Sequence, residues 1–268
     1  MLAYAFMRKA LLVGFILALA LPLIGIPIVL RRTSMTGDAL AHCSLAGVAA
    51  GLVGGIDPVL GALVACIIAA LSIEGVRRHF PRYADLAIAV VSATGAGLAG
   101  ILSSFSSTSR SLDDYLFGSI VAVSTPELFM VVAIGIIVIL FSMLFRRDIF
   151  LLSFDDSAAR TSGVNVNLLS VLFAVICGAA ISISARAIGS LVVSSVLVLP
   201  VACALRISKS YKQTVIVSLV ISVFSVILGI CLSYVYGLRP GGAIVLIGAA
   251  CLLVSFAIEA RRGRKVVA

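Results

Sequence analysis

"PELFMVVAIGIIVILFSMLF", residues 126–145, carries one charged side chain, Glu127, in its whole length. As a helix rising ~1.5 Å per residue it covers about 30 Å, the thickness of a bilayer's hydrocarbon core. Comparable apolar runs occupy about 10–30, 39–56, 58–76, 84–102, 167–184, 189–207, 214–236 and 241–259. The chain of 268 residues is 62% hydrophobic and only 12% charged, with a mean hydropathy of +1.26. Backbone groups inside lipid must be paired within the chain, so long continuous runs mean helices; a barrel would alternate in short segments. The expectation is an all-α polytopic membrane protein with eight or nine transmembrane helices, forming one domain over 1–268.

Charge then sets the orientation. If Arg31 and Arg32 are cytoplasmic, alternation also places 77–82, 146–160, 206–212 and the tail "RRGRK" there, and these segments hold 15 of the 20 Lys and Arg residues. That asymmetry is the positive-inside pattern. Nine spans put the N-terminus outside, with Arg8 and Lys9 on the less usual side; one weak or interfacial helix would reduce the number to eight. The net charge of +9 is spread over short clusters between apolar runs, which marks span ends and excludes a nucleic-acid surface. Six cysteines fall singly in apolar stretches without a CxxC pair, the pattern of core packing rather than a disulfide framework or metal cluster. The first run is too long for a signal peptide and is read as a retained span.

Two connections are more than turns. Residues 103–124 begin Ser-rich and become amphipathic, which suits a re-entrant or interfacial helix on the outer side. Residues 146–166, "RRDIFLLSFDDSAARTSGVNV", form the longest cytoplasmic segment. There Asp155 is placed to cap a helix of about two turns, with Asp156 in its first turn, Arg160 near its end and Gly163 just beyond. Such a capped element suits docking.

The chemistry is concentrated in "TGDALAHCSLAG", residues 36–47. Asp38 and His42, four residues apart, share one helix face and can share a ligand. Carboxylate plus neutral imidazole suits Zn²⁺ or Mn²⁺, and an ionisable pair within a span usually faces a lumen or a partner. Against this, Asp38 lies six residues after Arg32 and could cap the helix near the interface, with His42 bonded to a carbonyl; spacing alone weighs the two readings equally. Gly47, Gly51 and Gly55 repeat every fourth residue, a small-residue stripe for close helix contact. Gly47 lies roughly opposite Asp38 on the helical wheel, so one face can pack while the other carries the pair.

Taken together these stretches resemble the integral membrane permease of the bacterial zinc/manganese ABC importers. The resemblance is carried by "LRRTSMTGDALAHCSLAGVAAGL" (30–52), matching RR-x-S-x-x-GD-x-x-x-H-x-SL-x-G. It continues through "YLFGSIVAVS" (115–124), "SFDDSAARTSGVNV" (153–166), "AIGSLVVSSVLVLPVACA" (187–204) and "YGLRPGGAIVL" (236–246). It implies the type II importer fold of the vitamin B12 permeases and a homodimer, multi-pass in the bacterial plasma membrane and surrounded by lipid. Each copy would dock on a cytoplasmic ABC ATPase and receive metal from an extracytoplasmic binding protein. It further implies that Asp38 and His42 coordinate the passing ion, that Asp155, Asp156, Ala159, Arg160 and Gly163 belong to the ATPase-coupling segment, and that Pro200 shapes its helix. Two departures bear on the metal. Ser119 stands where zinc-type members tend to have Asp, and residues 89–100 lack the histidine such members can carry. They weaken zinc and leave manganese or ferrous iron open.

The chain has no GxxxxGK[ST], so ATP hydrolysis is expected on another subunit and the protein is not read as an enzyme. No permanently bound cofactor is implied; the metal is cargo. A proton-coupled secondary metal carrier and an ABC permease for metal chelates are the alternatives. An intramembrane hydrolase lacks HExxH, GxSxG and a second lumenal histidine.

Overall fold

The computed structural model describes residues 5–105, 124–154 and 156–266. Apart from a 3₁₀ turn at Pro81–Tyr83, its elements are α-helices. They run α1 Ala5–Leu30, α2 Thr36–Gly54, α3 Pro58–His79, α4 Ala84–Phe105, α5 Thr125–Leu144 and α6 Arg146–Phe154. Then follow α7 Asp156–Thr161, α8 Val166–Ile188, α9 Ser190–Ile207, α10 Tyr211–Tyr236 and α11 Pro240–Val266. The amphipathic stretch expected within 106–123, with Ser119, lies outside the described residues, as does Asp155.

Local signals set the helix ends. The Asp57 carboxylate accepts from the Val59 N–H at 2.8 Å ahead of Pro58 at the first turn of α3. Ser124 and Glu127 form a reciprocal capping box on α5, and Asn165 and Ser210 cap α8 and α10. Each cap satisfies an N–H that the helix itself leaves unpaired.

Eight of the helices are long and apolar enough to cross a membrane. Side-chain bonds show how they are aligned. Lys9 Nζ donates to Thr125 Oγ1 at 2.9 Å, and Arg186 Nε pairs with Glu127 Oε1 at 2.6 Å, so α1 and α5 begin where α8 ends. At the opposite end Arg31 Nε donates to the Leu152 carbonyl at 3.2 Å, Arg78 donates to the Asn167 carbonyl, and Arg206 pairs with Glu259 at 2.6 Å. The shorter α9 therefore runs from the first end to the second, its 18 residues covering roughly 27 Å. Eight long spans plus this ninth crossing account for the eight-or-nine ambiguity of the sequence. The second end gathers most of the basic residues, which makes it the cytoplasmic one. Lys9 and Arg186 are tolerated at the other because each has a partner there.

The core is built around α1, whose Val13, Leu17, Leu21 and Ile24 are buried. This helix continues through Pro22 and Pro27 and packs on α5, α9 and α10. Helix α2 packs on α3, α4, α8 and α9, so α9 stands between the two groups. Near the cytoplasmic end a buried carboxylate, Glu74, accepts from Arg77 at 2.8 Å and Arg78 at 3.1 Å. Arg77 also reaches Ser170 Oγ at 3.5 Å, so this charged knot fastens α3 to the start of α8.

The cytoplasmic connection is a pair of helices rather than a linker with one. Residues 146–154 are helical because Ile149 and Leu152, one turn apart, are buried where α6 meets α1. Helix α7 ends in a Schellman turn: Gly163 has φ +81°, the Val164 N–H reaches the Ala159 carbonyl, and the Gly163 N–H reaches that of Arg160, both at 3.1 Å. Ala159 is buried and Arg160 exposed.

Candidate metal site on the second helix

Between Gly37 and Ala49, all residues of α2 are buried except three: Asp38, His42 and Leu45. These recur at i, i+4 and i+7, which is one stripe on a helix. Four neighbouring helices, α3, α4, α8 and α9, cover the rest. On α3, Gly61 meets Gly47 so closely that a Cβ on either would collide with the other's carbonyl oxygen, and Pro58 lies against Gly51. On α4, Gly95 abuts Cys43 and the His42 carbonyl carbon, where a Cβ would stand 2.8 Å from Cys43 Sγ and 3.2 Å from that carbon. On α9, Ser194 Cα lies 3.6 Å from the position of a Cβ on Gly37. Glycine is required at 47, 61 and 95 because backbone meets backbone there.

Gly55 is corrected from the packing stripe to a different task. It has φ +68°, nothing lies within 4 Å of the point where a Cβ would stand, and its N–H closes the last turn of α2 on the Gly51 carbonyl. It is a left-handed C-cap, which glycine adopts without steric cost.

The two thiols near the pair are turned away from it. Cys43 Sγ donates to the Val91 carbonyl at 3.6 Å and Cys66 Sγ to the Leu40 carbonyl at 3.2 Å. Each clips α2 to a neighbour and leaves the open stripe with oxygen and nitrogen donors alone. Asp38 Oδ2 lies 3.6 Å from His42 Nε2, with the side chains 40% and 31% exposed. Among the described residues the two have no other polar partner. The capping alternative fails on this geometry: α2 is preceded by Met35 as its N-cap, without a side-chain cap bond.

Register sets the depth of the pair. The Cys66–Leu40 bond and the Gly47–Gly61 contact put Asp38 level with about residue 68 of α3 and His42 with about residue 65. Counted back from His79, the pair lies roughly 16–21 Å from the cytoplasmic end of α3, near the middle of a ~30 Å core. In the turn before α2, Arg31, Thr33 and Thr36 line a cavity of about 40 Å³ with Glu74, Arg77 and Phe173, while Arg32 and Met35 are exposed. His79 is remote, its Nδ1 2.9 Å from the Gly75 carbonyl oxygen at the end of α3.

Among the described residues no three His, Cys, Asp or Glu side chains gather into one metal-binding group. Among the described residues, then, Asp38 and His42 bring one carboxylate and one imidazole together on an open helix face.

Comparison with known proteins is consistent along the whole chain. Residues 3–259 match the model of the ABC 3 transport family. The chain is 35% identical over 258 residues to a metal transport system membrane protein of Treponema pallidum, covering 96% of this chain and 97% of that one. It is 31% identical over 264 residues to the manganese transport system membrane protein MntC of Listeria monocytogenes, covering 98% and 94%. Among solved structures, PsaBC from Streptococcus pneumoniae in complex with Fab superposes with a TM-score of 0.83 at 28% identity, over 94% of this chain and 91% of that one. The fold is also that of a metal-chelate type ABC transporter in an inward-facing conformation, with a TM-score of 0.73 at 18% identity over 93% and 85%. The helical bundle, the order of its spans and this family match lead to one assignment: the chain belongs to the ABC 3 transport family and is the multi-pass membrane permease subunit of a bacterial ABC transport system, not its ATPase.

Proposed function

We propose that this permease passes a divalent metal ion inward, Mn²⁺ first and Fe²⁺ second, using Asp38 and His42 of two copies related by a two-fold axis. The observation that carries the reading is the Asp38–His42 stripe, at 3.6 Å separation, mid-membrane and left open among the described residues. A two-fold axis beside α2 would add the same pair from a second copy, giving two carboxylates and two imidazoles around one ion. Carboxylate with imidazole suits Zn²⁺, Fe²⁺ and Mn²⁺, and the two carboxylates weight the set toward Mn²⁺. Oxygen and nitrogen donors without a thiolate, with water completing the shell, let the ion be released. The manganese named for the Listeria relative and the Ser119 and 89–100 departures from zinc-type members support the same order.

The coupling reading places α6 and α7 on a cytoplasmic ATPase. The Schellman turn at Gly163 fixes where α7 stops, buried Ala159 anchors it, and exposed Arg160 is available to the partner. An extracytoplasmic binding protein would deliver the ion at the end where α5 begins.

The test is uptake into proteoliposomes holding the permease and its ATPase, with the binding protein outside. ATP-dependent entry of labelled Mn²⁺, suppressed by excess Fe²⁺ more than by Zn²⁺, is the expected result. Absence of ATP-dependent entry for all three ions contradicts the proposal, and Zn²⁺ as the strongest competitor contradicts its order of metals.

A further inference from the structure

A groove on the outer flank of the bundle combines oil and positive charge. It lies between α1, α5 and α10 with a volume of about 420 Å³, and its walls include Leu23, Ile139, Met143, Ile216 and Leu219. At its cytoplasmic mouth stand Arg146 and Lys212 with Tyr211, whose ring is braced edge-on by Phe150 at 4.9 Å. Among the described residues no carboxylate lines this groove, and neither cation has an ion-pair partner. Beyond Leu19 and Leu219 the groove continues into a wholly apolar trough of about 560 Å³ past Val223 and Phe224.

The dimensions fit one leaflet. Arg146 stands two residues after the end of α5, and Lys212 is the second residue of α10, so both cations sit where spans leave the membrane. From Lys212 to Val223 the helix rises roughly 16 Å, about half of a ~30 Å hydrocarbon core. Met143 and Ile216 are 73% and 61% exposed, as side chains touching lipid tails are. The groove is on the α1–α5–α10 side, and α9 separates it from α2, so a second copy meeting the Asp38–His42 stripe leaves it free. Basic pockets between spans on the cytoplasmic side attract anionic headgroups.

We propose that this groove is a binding site for one anionic phospholipid of the cytoplasmic leaflet, its phosphate held between Arg146 and Lys212 and an acyl chain laid along Leu23, Met143 and Leu219. The lipid would tie the cytoplasmic ends of α5 and α10 to α1, at the base of the coupling helices.

Native mass spectrometry of the full permease–ATPase complex, titrated with phosphatidylglycerol or phosphatidylethanolamine of identical acyl chains, tests this without any metal. The wild type should retain phosphatidylglycerol in preference to phosphatidylethanolamine. Arg146→Gln with Lys212→Gln should lower that retention on the order of tenfold or more and abolish the preference for phosphatidylglycerol over phosphatidylethanolamine. Lys209→Gln, which removes a cation at the same end outside the groove, should change neither. Leu219→Trp, which fills the trough but keeps the charges, should weaken both lipids. Equal retention of the two lipids by the wild type, unaltered phosphatidylglycerol binding in the double variant or in Leu219→Trp, or an equal loss in Lys209→Gln, overturns the proposal.

Discussion

Asp38→Ala and His42→Ala are each expected to lower ATP-dependent metal uptake by roughly 100-fold or more, above the range that loss of an outer-shell metal partner alone costs. In a two-fold site each substitution deletes two ligands at once, one from each copy. Both side chains are partly exposed on an open stripe, so truncation leaves no internal cavity. The melting temperature and co-purification with the ATPase should therefore stay unchanged, with stability moving by less than about 0.5 kcal/mol. Asp38→Asn, of equal size but without the charge, should fail nearly as completely as alanine. Uptake at wild-type level in both alanine variants would remove the pair from the pathway. Uptake lost together with the fold would make it structural.

Gly47→Val is expected to cause the largest loss of stability of any single change considered. A Cβ at this position collides with the Gly61 carbonyl oxygen and stands 2.7 Å from both Ala62 Cα and Ala65 Cβ. The nearest obstacles are backbone atoms of a neighbouring helix, so no flexible side chain can swing aside. Overpacking of a core typically costs 1–3 kcal/mol, and here about 3 kcal/mol or more is expected because whole helices must separate. Gly97→Ala is the matched comparison: it lies on α4 with nothing within 4 Å and should cost nothing. A thiol-reactive fluorophore can follow unfolding, since Cys43, Cys66, Cys177 and Cys203 are buried. Similar melting curves for the two variants would show that α2 and α3 are not held by this contact.

The spans were legible in the sequence because twenty consecutive apolar residues leave the backbone no choice but a helix. The site was legible in part. Four-residue spacing put Asp38 and His42 on one face, and the glycine repeat put a packing surface opposite. Their depth was hidden, because it depends on the register of α2 against α3, a long-range fact. Gly95 escaped notice for the same reason: its stretch, "AVVSATGAGLAG", stands out for lacking histidine, while its contact with the His42 backbone comes from a helix about fifty residues away in sequence. Gly55 was misassigned because a four-residue repeat cannot distinguish a packing glycine from a C-cap when it falls on the helix's last turn. Helix α6 was concealed by its charged start; of its apolar residues Ile149, Phe150, Leu151, Leu152 and Phe154 only Ile149 and Leu152 are buried, and that face needs α1 to complete it. Nothing in the sequence marks Glu74 as buried, and only the fold places it under Arg77 and Arg78.

The central claim, that an ion in transit is held by Asp38 and His42, is tested most directly by electron spin-echo spectroscopy of Mn²⁺ bound to the permease–ATPase complex. The permease has two histidines, His42 and His79, and His79 is far from the open stripe. An imidazole nitrogen coupling to Mn²⁺ is expected in the wild type, lost in His42→Ala and retained in His79→Ala. Bound Mn²⁺ without nitrogen coupling, or a coupling that survives in His42→Ala, would contradict that claim.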